Sequence, residues 1–269
     1  MKPSLIVFLF LLFSPLVYST DYLRSGDVRS LALGGNEVIF SAMFNPALTA
    51  IAPRSMQLSY FDRYSVKELG AASGCLYLRH PALSGGLHIA SFGYDAWRET
   101  MFRLPIAKQL SERLSLGVSV QYAILQTELY EDQPAQLSVD AGMTWAPAEG
   151  WMLGLLLMNY PSVTFSATGD GRLQEFMPCR IQLGGQWAAN DETLLAATID
   201  CRSFRYIDVH AGIAYRAFER VELRGGIKLA SLLPSFGVGY EWEPLAVDMA
   251  ATYHPVLGFG YGLGMSYNF

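Results

Sequence analysis

Histidine, cysteine and carboxylate side chains are the groups in this chain equipped for chemistry, and their spacing argues against most of it. The four histidines are His80, His88, His210 and His254. None belongs to an HxxxH or HExxH pattern, so there is no helical pair of zinc ligands. The three cysteines, Cys75, Cys179 and Cys201, form no CxxC pair, and an odd number cannot complete a disulfide framework. They read as small buried or lipid-facing residues. Asp208 and His210 lie on one face of an alternating segment, where a carboxylate can orient an imidazole. No serine sits on a nucleophile elbow to use that pair. The run Gly237 to Trp242 has no phosphate-binding pattern; glycine inside a strand marks a bend or close packing. The chain reads as a non-enzyme that needs no cofactor or metal.

The segments that carry these residues are more informative than the residues. From Phe259 to Phe269 every odd position is large and apolar, and every even position is Gly, Ser or Asn. Strict period-2 alternation is a β-strand with one greasy and one small or polar face. Left as a bare sheet edge, such a strand is an aggregation hazard. A transmembrane barrel uses it to close the cylinder, with terminal aromatics at the membrane interface. Tyr267 and Phe269 are then the barrel-insertion signal presented to a barrel-assembly machinery. Composition agrees. At 51% hydrophobic and 16% charged, with mean hydropathy +0.22, the chain is too apolar for an ordinary soluble domain. Beyond the first twenty residues no apolar run is long enough for a membrane-spanning helix. A net charge of −5 gives no basic footprint for nucleic acid.

In chain order, residues 1–19 read as a signal peptide: Lys2, then the apolar run Leu5 to Leu12, then small residues before a cut. Residues 20–53 do not alternate. Asp27 to Leu33 suits a short helical turn, and Pro46 forces Asn45 into extended or turn geometry. A compact apolar segment ahead of a barrel belongs in the lumen, so 20–53 is expected to be a plug and 54–269 the barrel. About fourteen strands follow, from Met56–Tyr60 to Phe259–Phe269. Trp151 to Tyr160 reads as one strand, and Pro105 is expected to mark a strand end or bulge. Connections sort by side: one set is tight, and the other holds Leu129 to Ala135 and the longest loop, Pro161 to Pro178, as in outer-membrane barrels.

The faces sort too. Ile207, Val209, Ile213, Val221, Leu223, Leu245, Val247 and Met249 share the greasy phase, which contacts membrane lipid. Asp140, Asp208, His210, Arg216, Glu222, Arg224, Lys228 and Asp248 fall on the other phase. Charges on a lipid face cost a few kcal/mol near the midplane, so this phase is luminal. Its mixed sign favours pairing over an open diffusive pore.

The segments Ala32-Leu33-Gly34-Gly35 and Asn45-Pro46-Ala47-Leu48, with the terminal Tyr267-Asn268-Phe269, resemble the FadL-type outer-membrane barrels, and especially their PorV/PorQ-like relatives in Bacteroidota. The likeness covers the mature chain in layout and is sharp over about twenty residues. It implies a fourteen-stranded barrel with an N-terminal plug, in which Gly34, Gly35, Asn45, Pro46 and Ala47 form the plug motif. The interval from Gly35 to Asn45 is shorter than in the family, and the Gly that usually follows Asn-Pro-Ala is absent. The PorV/PorQ-like branch implies a role in type IX secretion, receiving or anchoring exported proteins; this is the leading expectation. The fatty-acid branch implies transport of a hydrophobic small molecule by a lateral route. In that alternative Phe40, Met43 and Phe44 are candidate ligand contacts; in the first they are plug packing.

Overall fold

Alternation of large apolar with small or polar side chains gives each strand two unlike faces, and only a closed sheet can keep one face in lipid with no free edge. The computed structural model describes residues 27–128, 133–165 and 177–269. The expected signal peptide and the first residues of the expected plug segment lie outside these. The strands are β1 (Ser55–Asp62), β2 (Ala71–Leu78), β3 (Ser84–Tyr94), β4 (Trp97–Ser111), β5 (Leu114–Thr127), β6 (Ala135–Trp145), β7 (Trp151–Met158), β8 (Ser162–Phe165), β9 (Arg180–Ala188), β10 (Thr193–Arg202), β11 (Tyr206–Phe218), β12 (Val221–Lys228), β13 (Leu233–Trp242), β14 (Leu245–His254) and β15 (Gly258–Asn268).

Pairing is antiparallel throughout, and β1 pairs with β15 from Ser55↔Asn268 to Asp62↔Tyr261. The β5–β6 pairing completes the circuit. β7 and β8 both pair with β6, at its two ends, so together they make one passage across the wall. The fifteen strands thus make fourteen passages, in line with the alternating segments of the sequence. At 14 residues, β5 exceeds the ~9–11 that a tilted strand needs to cross hydrocarbon. We call the rim holding Ser55 and Asn268 the near rim, and the opposite one the far rim.

The outer face is a continuous apolar belt that includes Leu58, Leu104, Val118, Leu183, Ile199, Met249 and Leu263, all exposed. A belt of this extent is not found on a soluble monomer. Trp151 and Trp187 stack at 5.7 Å on the near rim, and Tyr267 and Phe269 at 6.5 Å. The Phe269 amide donates to the Arg54 carbonyl at 3.0 Å, tying the terminal residue to the start of β1.

Two elements depart from the expectations. Trp151 to Tyr160 is not one strand: β7 ends at Met158, Asn159 takes a left-handed φ of 58°, and β8 resumes inside the stretch expected to be loop. Pro105 is neither an end nor a bulge. It sits within β4 opposite Ser119 of β5. On its other side the β3 ladder runs Gly85↔Ile106 and then His88↔Arg103, with the rungs between them missing. Proline has no N–H to give, and the pairing opens there.

Inside, the plug runs around the wall instead of standing in its centre. Helix α1 (Val28–Ala32) lies under β13 to β15, with Val28 against Gly262 and Gly264, and Ala32 against Gly237. Asp27 caps it, accepting from the Ser30 amide at 3.2 Å. Gly34 and Gly35 follow with φ of +77° and +83°, a turn that side-chain-bearing residues resist. Thr198 of β10 donates to Asn36 at 2.7 Å. Helix α2 (Glu37–Phe40) places Val38 against Gly154 of β7 and Gly184 of β9. Asn45 then meets Gly142 of β6, and Pro46 and Ala47 meet Gly117 of β5. The Asn45 side chain accepts from the Ala47 amide at 3.1 Å and donates to the Val38 carbonyl at 2.7 Å, so Asn-Pro-Ala is a self-capped turn.

The wall makes room for this ring by giving up side chains. A Cβ on Gly226 would lie 2.1 Å from the Gly34 nitrogen, and one on Gly142 would lie 2.0 Å from Asn45 Oδ1. Gly226→Val is therefore expected to destabilise the barrel by about 1–3 kcal/mol through overpacking, read from the urea midpoint of the heat-modifiable band on gels. Gly225→Ala is the control: its Cβ would approach nothing closer than 3.7 Å, and the midpoint should stay put.

Candidate functional site

The lumen holds three polar clusters, and each grips the plug. In the first, Arg224 is paired with Glu222 at 2.5 Å and with Asp248, while Arg29 of the plug reaches Glu222 at 3.3 Å. In the second, Asp200 is held by Arg180 and by Arg202 at 3.2 Å. His210 stands beside it with Nδ1 at 2.8 Å from the Gly35 carbonyl. In the third, the buried Arg103 pairs with Asp140 at 3.0 Å, donates to Gln121 at 3.1 Å and to the Met43 carbonyl, and lies 5.4 Å over the Phe44 ring. Ser119 and the Asn159 amide donate to the same Asp140 carboxylate at 3.0 and 2.8 Å. Buried charges survive only when paired and hydrogen-bonded, and these clusters meet that demand with plug backbone among the partners.

The anticipated luminal residues divide accordingly. Asp140, Asp208, His210 and Arg224 are buried, and Glu222 and Asp248 are half-buried. Arg216 is exposed on the near rim, in register with Glu222. His210 Nε2 lies 3.7 Å from Asp208, outside hydrogen-bond range, and its other nitrogen is committed to the plug. His210 therefore holds the plug, while Asp208 accepts from the Val209 and Ala230 amides at 2.8 and 2.9 Å, and the two are not arranged for proton transfer. Lys228 lines a cavity of about 150 Å³ on the far side of the plug, with Asp27, Glu37, Phe61 and Tyr253. Gly34, Gly35, Asn45, Pro46 and Ala47 are the wall-hugging turns of the ring. Met43 and Phe44 are buried at 3% and 1% exposure against Cys75, Tyr77, Leu156 and Met158. Among the described residues, no disulfide joins the cysteines.

Phe40 is different. It is only half-buried, and the Arg29 guanidinium lies 5.5 Å over its ring. Arg29 comes from the β14 side of the lumen and Phe40 from the β7 side, so this cation–π contact closes the ring across its middle. A near-rim mouth of about 700 Å³, bordered by Pro53, Arg54, Arg79 and Gln109, lies beside β4.

One sector of the far half is apolar on its inner face apart from Glu99 of β4, which stands opposite Phe92 and Leu125. Ala71 of β2, Ala90 and Phe92 of β3, Met101 of β4, and Ala123 and Leu125 of β5 form a buried apolar cluster with Met177. Sorting the luminal phase by its charges passed over this sector. Its signal is the inward parity of Phe92, Met101 and Leu125, each two or four residues from a polar luminal position. Arg103, Arg180, Asp200 and Asn159 were missed as well; the first three carry the only sequence signal, a charge on the inward parity of an apolar strand.

The geometry defines a transmembrane β-barrel whose lumen is filled by its own N-terminal segment. No family model matches the sequence, and no curated protein sequence matches it. Solved structures match in fold. The toluene transporter TodX of Pseudomonas putida aligns with a TM-score of 0.65 at 14% identity, over 89% of this chain and 97% of that one. The toluene transporter TbuX of Ralstonia pickettii gives 0.64 at 13%, over 92% and 99%. A Pseudomonas aeruginosa FadL homologue gives 0.57 at 12%, over 95% and 99%. This chain has the fold of those barrels.

Two outcomes follow from the clusters. Arg103→Met strands the Asp140 carboxylate and should cost about 3–5 kcal/mol, measured by urea unfolding in detergent. Arg29→Ala and Phe40→Ala open the middle of the ring; in planar bilayers each should show a higher single-channel conductance than the parent, whose conductance should be small.

Proposed function

We propose that this protein is an outer-membrane channel of the FadL type that passes small hydrophobic molecules. The observation that carries the reading is the apolar sector of Phe92, Met101 and Leu125 on the inner face of β3 to β5. Water-filled pores have polar interiors; an apolar inner wall gives a hydrophobic solute a favourable surface at about 25 cal/mol per Å² buried. The likeness in fold to the two toluene transporters supports the same direction.

In this reading the near rim faces the periplasm, the apolar belt contacts outer-membrane lipid, and the barrel-assembly machinery reads Tyr267 and Phe269. The secretion role takes second place. The solved structures that share the fold include toluene transporters and a FadL homologue.

Cells lacking their own hydrocarbon channels and expressing this protein should take up radiolabelled toluene several-fold faster than vector controls. Leu125→Asp, in protein that still folds by heat modifiability, should abolish the gain. Equal uptake with and without the protein would sink the proposal.

A further inference from the structure

The apolar sector contains one side chain that does not come from the strands lining it. Met177 precedes β9 in the chain, yet it sits at 7% exposure against Phe92, Met101 and Leu125. Its backbone is held by a single side chain: Gln136 Oε1 accepts from the Met177 amide at 3.1 Å, and Gln136 Nε2 donates to the Met177 carbonyl at 3.0 Å. Gln121 Nε2 lies 3.0 Å from the Met177 sulfur. Asn159 Nδ2 donates to the Pro178 carbonyl at 3.0 Å. One amide thus does the work of a neighbouring strand, and these contacts to Met177 and Pro178 come from side chains.

We propose that this sector is a binding site for a small uncharged apolar guest and that Met177 is its built-in occupant, which the guest displaces. The inference rests on the channel reading. Methionine is unbranched, flexible and polarisable, the side chain suited to filling an irregular apolar gap and leaving it. The walls around it include the small Ala71, Ala90 and Ala123, so the space belongs to the occupant and not to the strands. Withdrawal of the side chain alone keeps both Gln136 bonds to the Met177 backbone, and Gln121 Nε2, on losing the sulfur, still donates to Asn159 Oδ1 at 3.1 Å.

The surroundings also set the guest's charge. Glu99, bonded to the Trp97 indole at 3.0 Å, stands within the sector on β4, opposite Phe92 and Leu125. Arg103 and Asp140 beneath it are already paired. An anionic guest would meet the Glu99 carboxylate as a like charge and would bear the full cost of burial. A single aromatic ring or a short alkyl chain fits the chemistry.

The test uses the full-length protein in lipid nanodiscs, with carbon-13 methyl-labelled methionine and toluene as the ligand. Met177→Leu assigns the Met177 methyl signal. Saturating toluene should move that signal in the unaltered protein. Because the occupant competes with the guest, the apparent dissociation constant is the intrinsic one divided by the vacated fraction. Met177→Ala should therefore bind toluene several-fold more tightly, and Met177→Trp several-fold more weakly. A purely structural role would weaken binding in both. An unmoved Met177 signal at saturation, or weaker binding by a folded Met177→Ala, overturns the proposal. Should Met177→Ala fail to fold, the signal in the unaltered protein decides. If toluene behaves as expected here while cells take none up, the site stands and the channel reading falls. If uptake occurs while Met177 stays put, the reverse holds.

Discussion

The rest of this structure depends on close approach between two backbones. A plug that runs along the inside of a wall can come no nearer than the wall's side chains allow, and here the wall presents glycine at the closest approaches. Gly226 meets Gly34, Gly212 meets the Leu33 carbonyl, Gly142 meets Asn45, and Gly117 meets Pro46. Interiors pack at crystal-like density, so the space released by each missing side chain is filled by main chain. Plug sequence and wall glycines are two halves of one constraint, and a change on either side is felt on the other.

Electrostatics follows from that geometry. Bringing the plug against the wall removes water from the inward-facing charges, and each then needs a partner at fixed distance. Arg103 takes Asp140 and the Met43 carbonyl; His210 takes the Gly35 carbonyl; Glu222 takes Arg29 and Arg224. Charge and plug backbone are satisfied together. The apolar sector of β2 to β5 stands apart because the plug's self-capped turn passes on its near-rim side, leaving the far half to be filled by Met177.

Alternation in the chain made the architecture legible. Parity assigns each side chain to lipid or lumen, and it placed Asp140, His210, Arg224 and Asp248 inside and Leu223, Val247 and Met249 outside. Parity does not say which inward residues stand at the same height on neighbouring strands. Register does, and register depends on where turns and breaks fall. For that reason the grouping of Phe92, Met101 and Leu125 was hidden, as was the pairing of Arg103 with Asp140 across β5. The split at Asn159 was hidden because both of its halves alternate. The contact between Arg29 and Phe40 joins two ends of a segment that does not alternate at all, so only the coiling of the plug reveals it.

The path of the plug also bears on how the molecule comes together. Its contacts grow more distant in sequence as one moves back toward its start: Met43 with Arg103 spans 60 residues, Asn36 with Thr198 spans 162, and Ala32 with Ser235 spans 203. Loop-closure entropy makes the short spans available first. As strands are added in order, the Asn45 turn finds β5 and β6 early, while α1 waits for β13 to β15. The ring is thus laid down from its C-terminal end backward, each new strand receiving the next stretch of plug. Val28 and the last strand arrive at the same seam, so closing the cylinder and finishing the plug are one event.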